Sequence, residues 1–256
     1  NKDEKKAFAL VDKVENMFNK EASIKLGIYY YYGIGCEQDF NEAFNRFSFN
    51  KTEAESCYFL GLMHLNGQGV LIDEKKAFEY LIKAKELGYV DASIELGRMY
   101  YNGISTEPNA KEAFACMSYA QNSEHSNKSR TNLWLGIFYM AGVGVEADLK
   151  KAREHLDEAK KLNPNINKGV IEELELREFL QSEEDPVKLF EKGNFLTEHG
   201  DKFNLSNQFI IKAADKGHRE AQYRAGMFLE DDAAEKKYFE LAAAQGEINA
   251  MYQLGE

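Results

Sequence analysis

Proline is scarce in this chain, at three residues in 256. With 44% hydrophobic and 12% aromatic residues, the chain therefore reads as ordered, soluble and largely helical rather than disordered. Cysteine is as sparse. Cys36, Cys57 and Cys116 lie 21 and 59 residues apart, which suits neither a disulfide framework nor the C-x-x-C spacing of a zinc site. They read as small buried hydrophobes and fit a reducing, cytoplasmic compartment better than a periplasmic, secreted or lumenal one. The triplets that begin at Asn50, Asn127 and Asn204 match the glycosylation acceptor pattern, so a lumenal origin stays open. Positive charge is in deficit: 32 Lys plus Arg against 43 Asp plus Glu leave a net charge of -11. Nucleic acid, whose phosphates need clustered basic side chains, is not an expected partner. Long apolar runs are missing as well. The nearest candidate, "LGIYYYYGIG", falls far short of the roughly 20 residues a membrane span needs.

What the chain does have is repetition. "DEKKAF" occurs at residues 3–8 and again at 73–78. Leu-Gly occurs at Leu26-Gly27, Leu60-Gly61, Leu96-Gly97 and Leu135-Gly136, in steps of 34, 36 and 39 residues. Each pair is followed by a glycine turn ("YYGIGC", "LNGQGV", "YNGIST", "MAGVGV"), then a polar linker, then Ala43-Phe44, Ala77-Phe78, Ala113-Phe114 or Ala152-Arg153. One unit is thus helix, turn, helix, repeated about every 35 residues. The turn glycines invite a phosphate-loop reading that the context rejects. A dinucleotide fingerprint needs a third glycine and a preceding strand, and no Gly-Lys-Ser/Thr follows for a P-loop. Gly142 and Gly144 are expected to end one helix and turn the chain into the next. Gly97 and its equivalents, inside a helix, cost about 1 kcal/mol each relative to alanine, which predicts close approach of the second helix at those points.

The pattern A-x-x-x-L-G-x-x-Y, then G-x-G-V, then K-A-F and K-A-x-x-x-G, resembles the Sel1-like repeat, a relative of the tetratricopeptide repeat. The resemblance implies an all-α, right-handed α-solenoid, or superhelix, of helix-turn-helix repeats. Well-matched units are 21–52, 53–90, 91–126 and 127–163, and residues 1–18 resemble the second helix of a preceding unit. The expected organisation is repeats over 1–163, an inserted acidic helix within 164–185, centred on 166–181, and divergent repeats over 186–256. The inserted segment carries Glu172, Glu173, Glu175, Glu178, Glu183, Glu184 and Asp185 against Lys168 and Arg177. It reads as a solvated outer face, with an acidic docking surface as the alternative. The last unit breaks off after "AMYQLGE", so a longer native protein, or end-to-end contacts through Met251, Tyr252 and Leu254, is expected.

No catalytic constellation emerges. His64, His125, His155, His199 and His218 show no ligand spacing. "SFNK" at Ser48–Lys51 matches the S-x-x-K of penicillin-binding enzymes without their S-D-N and K-T-G elements. Some cysteine-rich Sel1-like relatives are linked to penicillin binding, but the paired cysteines are absent here. The resemblance therefore implies a non-enzymatic protein-interaction scaffold without a cofactor or metal. The penicillin-binding activity, or an adaptor role inside a larger protein, is the alternative. The related repeats bind a peptide or protein in the concave groove lined by first helices. Carried over by alignment, the groove positions are Ile24, Ile28, Tyr31, Tyr58, Leu62, Leu65, Ile94, Arg98, Tyr101, Leu133, Ile137 and Met140. Of these, Ile24, Ile94 and Leu133 are expected to pack between repeats. Tyr31, Tyr58, Leu62, Arg98, Tyr101, Ile137 and Met140 are the candidate contact residues, since tyrosine and arginine pair apolar area with hydrogen bonding.

Overall fold

A computed structural model describes residues 2–15 and 19–255; residues 16–18 of the expected opening helix lie outside the described residues. Among the described residues the secondary structure is helical throughout, without strands. The chain forms two compact units, 1–166 and 167–256. The first holds α1 (Lys2–Glu15), α2 (Lys20–Tyr32), α3 (Phe40–Phe49), α4 (Ala54–Asn66), α5 (Glu74–Glu86), α6 (Asp91–Asn102), α7 (Ala110–Asn122), α8 (Lys128–Ala141) and α9 (Leu149–Leu162). The second holds α10 (Lys168–Ser182), α11 (Pro186–His199), α12 (Ser206–Asp215), α13 (Arg219–Phe228), α14 (Asp232–Ala244) and α15 (Ile248–Leu254).

Each repeat of the first unit closes by one device. The first helix ends on a left-handed glycine: Gly33, Gly67, Gly103 and Gly142 have φ near +70°, and each donates its backbone N–H to the carbonyl of Tyr29, Met63, Met99 or Phe138. The chain then crosses to Asp39, Asp73, Asn109 or Asp148. The backbone N–H of each returns to the first helix, on the carbonyl of Tyr30, His64, Tyr100 or Tyr139, at 2.8–3.0 Å. The side chain of each caps the second helix by accepting from the N–H three residues on, at 2.9–3.1 Å. Donors orphaned at the helix start and carbonyls orphaned at the helix end are thus satisfied within a few residues.

The Leu-Gly glycines sit where the two helices of a pair cross. A β-carbon on Gly27 would lie 2.7 Å from the Phe47 ring; on Gly61, 2.7 Å from Leu81 Cγ; on Gly136, 2.5 Å from Leu156 Cγ. The divergent repeats keep this contact, between Gly193 and Ile210 at 2.8 Å and between Gly226 and Phe239 at 2.6 Å. The second turn glycine joins successive repeats. Gly69 and Gly144 place their Cα atoms against the carbonyls of Phe40 and Ala110, the first residues of the preceding α3 and α7. Around these crossings Phe47, Leu60, Met63, Leu81, Leu96 and Met99 are fully buried and form a continuous core.

In the second unit the expected inserted helix is α10, but it is not a free acidic rod. Phe179 packs against Phe209 of α12, and Lys212 donates to the carbonyls of Leu180 and Gln181. On α10 Glu173 pairs with Arg177, and just past its end Glu183 pairs with Lys188 and Glu184 with Lys212 and Lys216. Its side chains therefore serve packing first. At the end of the unit Tyr252 is exposed, while Met251 and Leu254 pack on Phe239 and Ala250. Among the described residues no helix is long and apolar enough to cross a membrane.

Candidate groove of the first unit

A buried carboxylate joins two of the first helices, α6 and α8. Glu95 of α6 is 2% exposed. Its Oε2 accepts from Arg98 Nη1 at 2.6 Å, and its Oε1 accepts from Arg130 Nη2 of α8. The Arg130 guanidinium also lies within electrostatic reach of the Tyr58 hydroxyl, from α4. From α2, the Tyr32 hydroxyl lies within electrostatic reach of Arg130 and Asp91.

Aromatic rings surround this ionic centre. Tyr58 stacks on Tyr89 at 4.6 Å. Trp134 receives the Arg98 guanidinium over its ring at 5.8 Å and stands edge-on to Tyr101. Tyr31 donates its hydroxyl to Gln68 Oε1 at 2.7 Å. Burial pushes the Tyr58 hydroxyl up, and the Glu95 carboxylate pushes it further. Burial pulls the Arg130 guanidinium down, but Glu95 outweighs it and leaves Arg130 raised. Tyr58 therefore stays a neutral hydroxyl and Arg130 a cation beside Glu95.

The structure divides the sequence-derived contact residues. Arg98, whose side chain is 40% exposed, and Tyr101, at 38%, face solvent. Leu62 and Ile137 are half-buried and pack against the core. Tyr31 and Tyr58, both 7% exposed, and Met140 are buried. Tyr31 packs edge-on against Phe59 of α4, and Tyr58 stacks on Tyr89 ahead of α6. Ile24 and Ile94 are buried as expected. Sequence reasoning missed Arg130, Glu95, Tyr32, Tyr89 and Trp134. Arg130 stands one helical turn before the aligned position Leu133, and Trp134 is the single tryptophan of the chain. Both could have been flagged on those grounds.

Other sequence candidates find structural roles. His64 is buried and stacks on Tyr80, with Phe44 edge-on. His155 stacks on Tyr139, and His218 Nδ1 accepts from the Ala221 N–H to cap α13. Ser48 lies at the end of α3, with Lys51 beyond it, whereas an S-x-x-K serine needs the start of a helix. Cys57 and Cys116 are buried and all three cysteines are free. Asn50 is buried and hydrogen-bonded to Ser23 and Arg46, and Asn127 caps α8; Asn204 is exposed at φ +54°. In the second unit a cleft of about 880 Å³ runs between α10 and α11, floored by Leu176, Phe179, Leu196 and Phe203.

Comparison with known proteins places this geometry. The Sel1 repeat profile matches residues 20–45, 54–89, 90–120, 130–164 and 236–247, more than half of the chain. An uncharacterized Sel1-like repeat-containing protein of Schizosaccharomyces pombe is 27% identical over 123 residues, 46% of this chain and 15% of the yeast protein. The crystal structure of a protective antigen of uropathogenic Escherichia coli, displaying an SLR fold, superposes with a TM-score of 0.50 at 21% identity. That match covers 98% of this chain and 51% of the antigen. A Sel1 repeat protein from Oxalobacter formigenes gives a TM-score of 0.46 at 22% identity, over 93% of this chain and 77% of that one. The chain thus spans about half the antigen's length and a small part of the yeast relative's. With its repeated helix pairs, glycine crossings and capped turns, the chain belongs to the Sel1 repeat family.

Proposed function

We propose that this chain is a non-enzymatic scaffold that holds a peptide or protein segment in the groove of its first unit. Arg98, Arg130, Tyr32, Tyr101 and Trp134 make contact, and Tyr31, Tyr58, Leu62, Ile137 and Met140 form the supporting floor. One observation carries the reading: Arg98 of α6 and Arg130 of α8, both partly exposed, converge on the buried Glu95 carboxylate beside the rings of Trp134 and Tyr101. Tyrosine, tryptophan and arginine supply most of the binding energy where proteins meet, because each combines apolar area with directed hydrogen bonds. The α10–α11 cleft supports a second docking reading, since Phe195 is 52% exposed at its edge.

Panning a displayed library of random dodecapeptides against the full chain tests both readings. Arg98→Ala with Tyr101→Ala should abolish capture of the enriched peptides, and Phe195→Ala should leave it intact. The reverse result assigns docking to the α10–α11 cleft. Saturable covalent labelling by a fluorescent penicillin would replace the scaffold reading with the penicillin-binding one.

A further inference from the structure

Beyond the location of the groove, its chemistry specifies a partner. We infer that the groove selects an acidic segment, whose carboxylate bridges Arg98 and Arg130 while a neighbouring apolar or aromatic side chain packs among Tyr32, Tyr101 and Trp134. The inference rests on the scaffold reading above and adds the ligand class.

Glu95 is the key to it. At 2% exposure its carboxylate is out of a partner's reach, and each of its oxygens is committed to one guanidinium. The guanidinium side chains are not buried with it: Arg98 is 40% exposed and Arg130 37%. Each guanidinium carries five N–H donors in a rigid fork, so donors remain free to point into the groove after Glu95 is served. Two cations therefore stand at the groove surface over one hidden anion. Asp91, at the start of α6, accepts the Asn127 N–H on its Oδ1. Glu55, half-buried at the edge near Tyr89, lies close to Lys25.

Pre-organisation strengthens the case. Arg98 is held from below by Glu95 and from the side by the Trp134 ring. Arg130 is held by Glu95. An incoming carboxylate meets two guanidinium groups whose rotamers are already fixed, so little side-chain entropy is lost on binding. The α10–α11 cleft offers no such preference, because Glu172, Glu175 and Glu191 on its walls are matched by Lys188, Lys192 and Lys202.

The single tryptophan provides a local readout, since Trp134 lies inside the groove. Dodecapeptides enriched on the full chain should carry Asp or Glu next to Phe, Tyr, Trp or Leu, and one of them, made synthetically, should shift Trp134 emission on titration. Its Glu→Gln or Asp→Asn analogue should bind about tenfold more weakly, as should the parent peptide to Arg98→Ala of unchanged helicity, because a charge-assisted bridge is lost in each case. Arg98→Lys, which keeps the charge and loses the fork, should fall between. If neutral or basic peptides are enriched and still shift Trp134, the groove binds but its acidic selectivity is overturned. If no enriched peptide shifts Trp134 and Arg98→Ala with Tyr101→Ala leaves capture intact, the groove reading itself falls.

Discussion

Gly136 of α8 crosses Leu156 of α9 so closely that a β-carbon on the glycine would stand 2.5 Å from the leucine Cγ and 3.3 Å from the Ala152 carbonyl oxygen. The helices of this repeat meet through a missing side chain. Gly136→Ala should therefore overpack the crossing at a cost of about 1 to 3 kcal/mol. Leu156→Ala alone should lose about 2 to 5 kcal/mol by leaving a cavity. Because the new methyl would fill part of that cavity, the double variant should lose less than the sum of the singles by about 1 kcal/mol or more. Urea denaturation of the four proteins measures the coupling, and strict additivity would refute the contact.

The two glycines of one turn differ in kind. Gly142 and Gly144 both have φ near +70°, a conformation that costs other residues about 1–2 kcal/mol. At Gly142 a β-carbon finds ordinary contact at 3.5 Å with Ala147, whereas at Gly144 it would run into the Ala110 carbonyl. Gly144→Ala should thus lower the urea midpoint more than Gly142→Ala. Ser105, the third repeat's replacement for the second glycine, keeps φ at +60°. Ser105→Gly should raise stability by about 1 kcal/mol through relief of that strain.

Burial holds His64, His155 and His218 below the ordinary histidine value. The unfolded chain therefore binds more protons than the folded one at mildly acidic pH. The stabilisation is complete above about pH 6.5 and is lost as pH falls through the folded values. Urea midpoints should decline between pH 7.5 and pH 5. His218→Asn, which keeps a capping acceptor for the Ala221 N–H without a titrating ring, should make that decline shallower. An unchanged slope would show that His218 does not contribute.

Asp73 and Asp148 sit below the ordinary aspartate range, chiefly because the backbone N–H groups of Lys76 and Lys151 bond their carboxylates. Their stabilisation is present above the unfolded aspartate value and is lost as pH drops through the folded one. Asn109 caps α7 with the same geometry and no titrating proton. Asp73→Asn with Asp148→Asn should therefore keep helicity at pH 7 and flatten the acid limb of the stability profile below pH 4, read by circular dichroism.

The sequence by itself determined the repeat. Leu-Gly spacing, paired turn glycines and the Ala-Phe step located four helix pairs, because glycine at a crossing and glycine at a left-handed cap are local requirements that leave a residue type at a fixed offset. It also carried Gly193 and Gly226 in the divergent repeats, although α11 and α13 lack the leucine that marks the others. The groove was legible only in outline. Alignment pointed to Arg98 and Tyr101, but it could not tell that Tyr31 and Tyr58 turn into the spaces between first helices, since a tyrosine at a groove position looks the same whether its neighbour leaves a gap or fills it. Nor could it join Glu95, Arg130 and Tyr58, which lie on three helices up to 72 residues apart. The Glu95–Arg130 bridge joins two successive repeats, and its closure belongs to the packing of many side chains at once rather than to any one spacing in the chain.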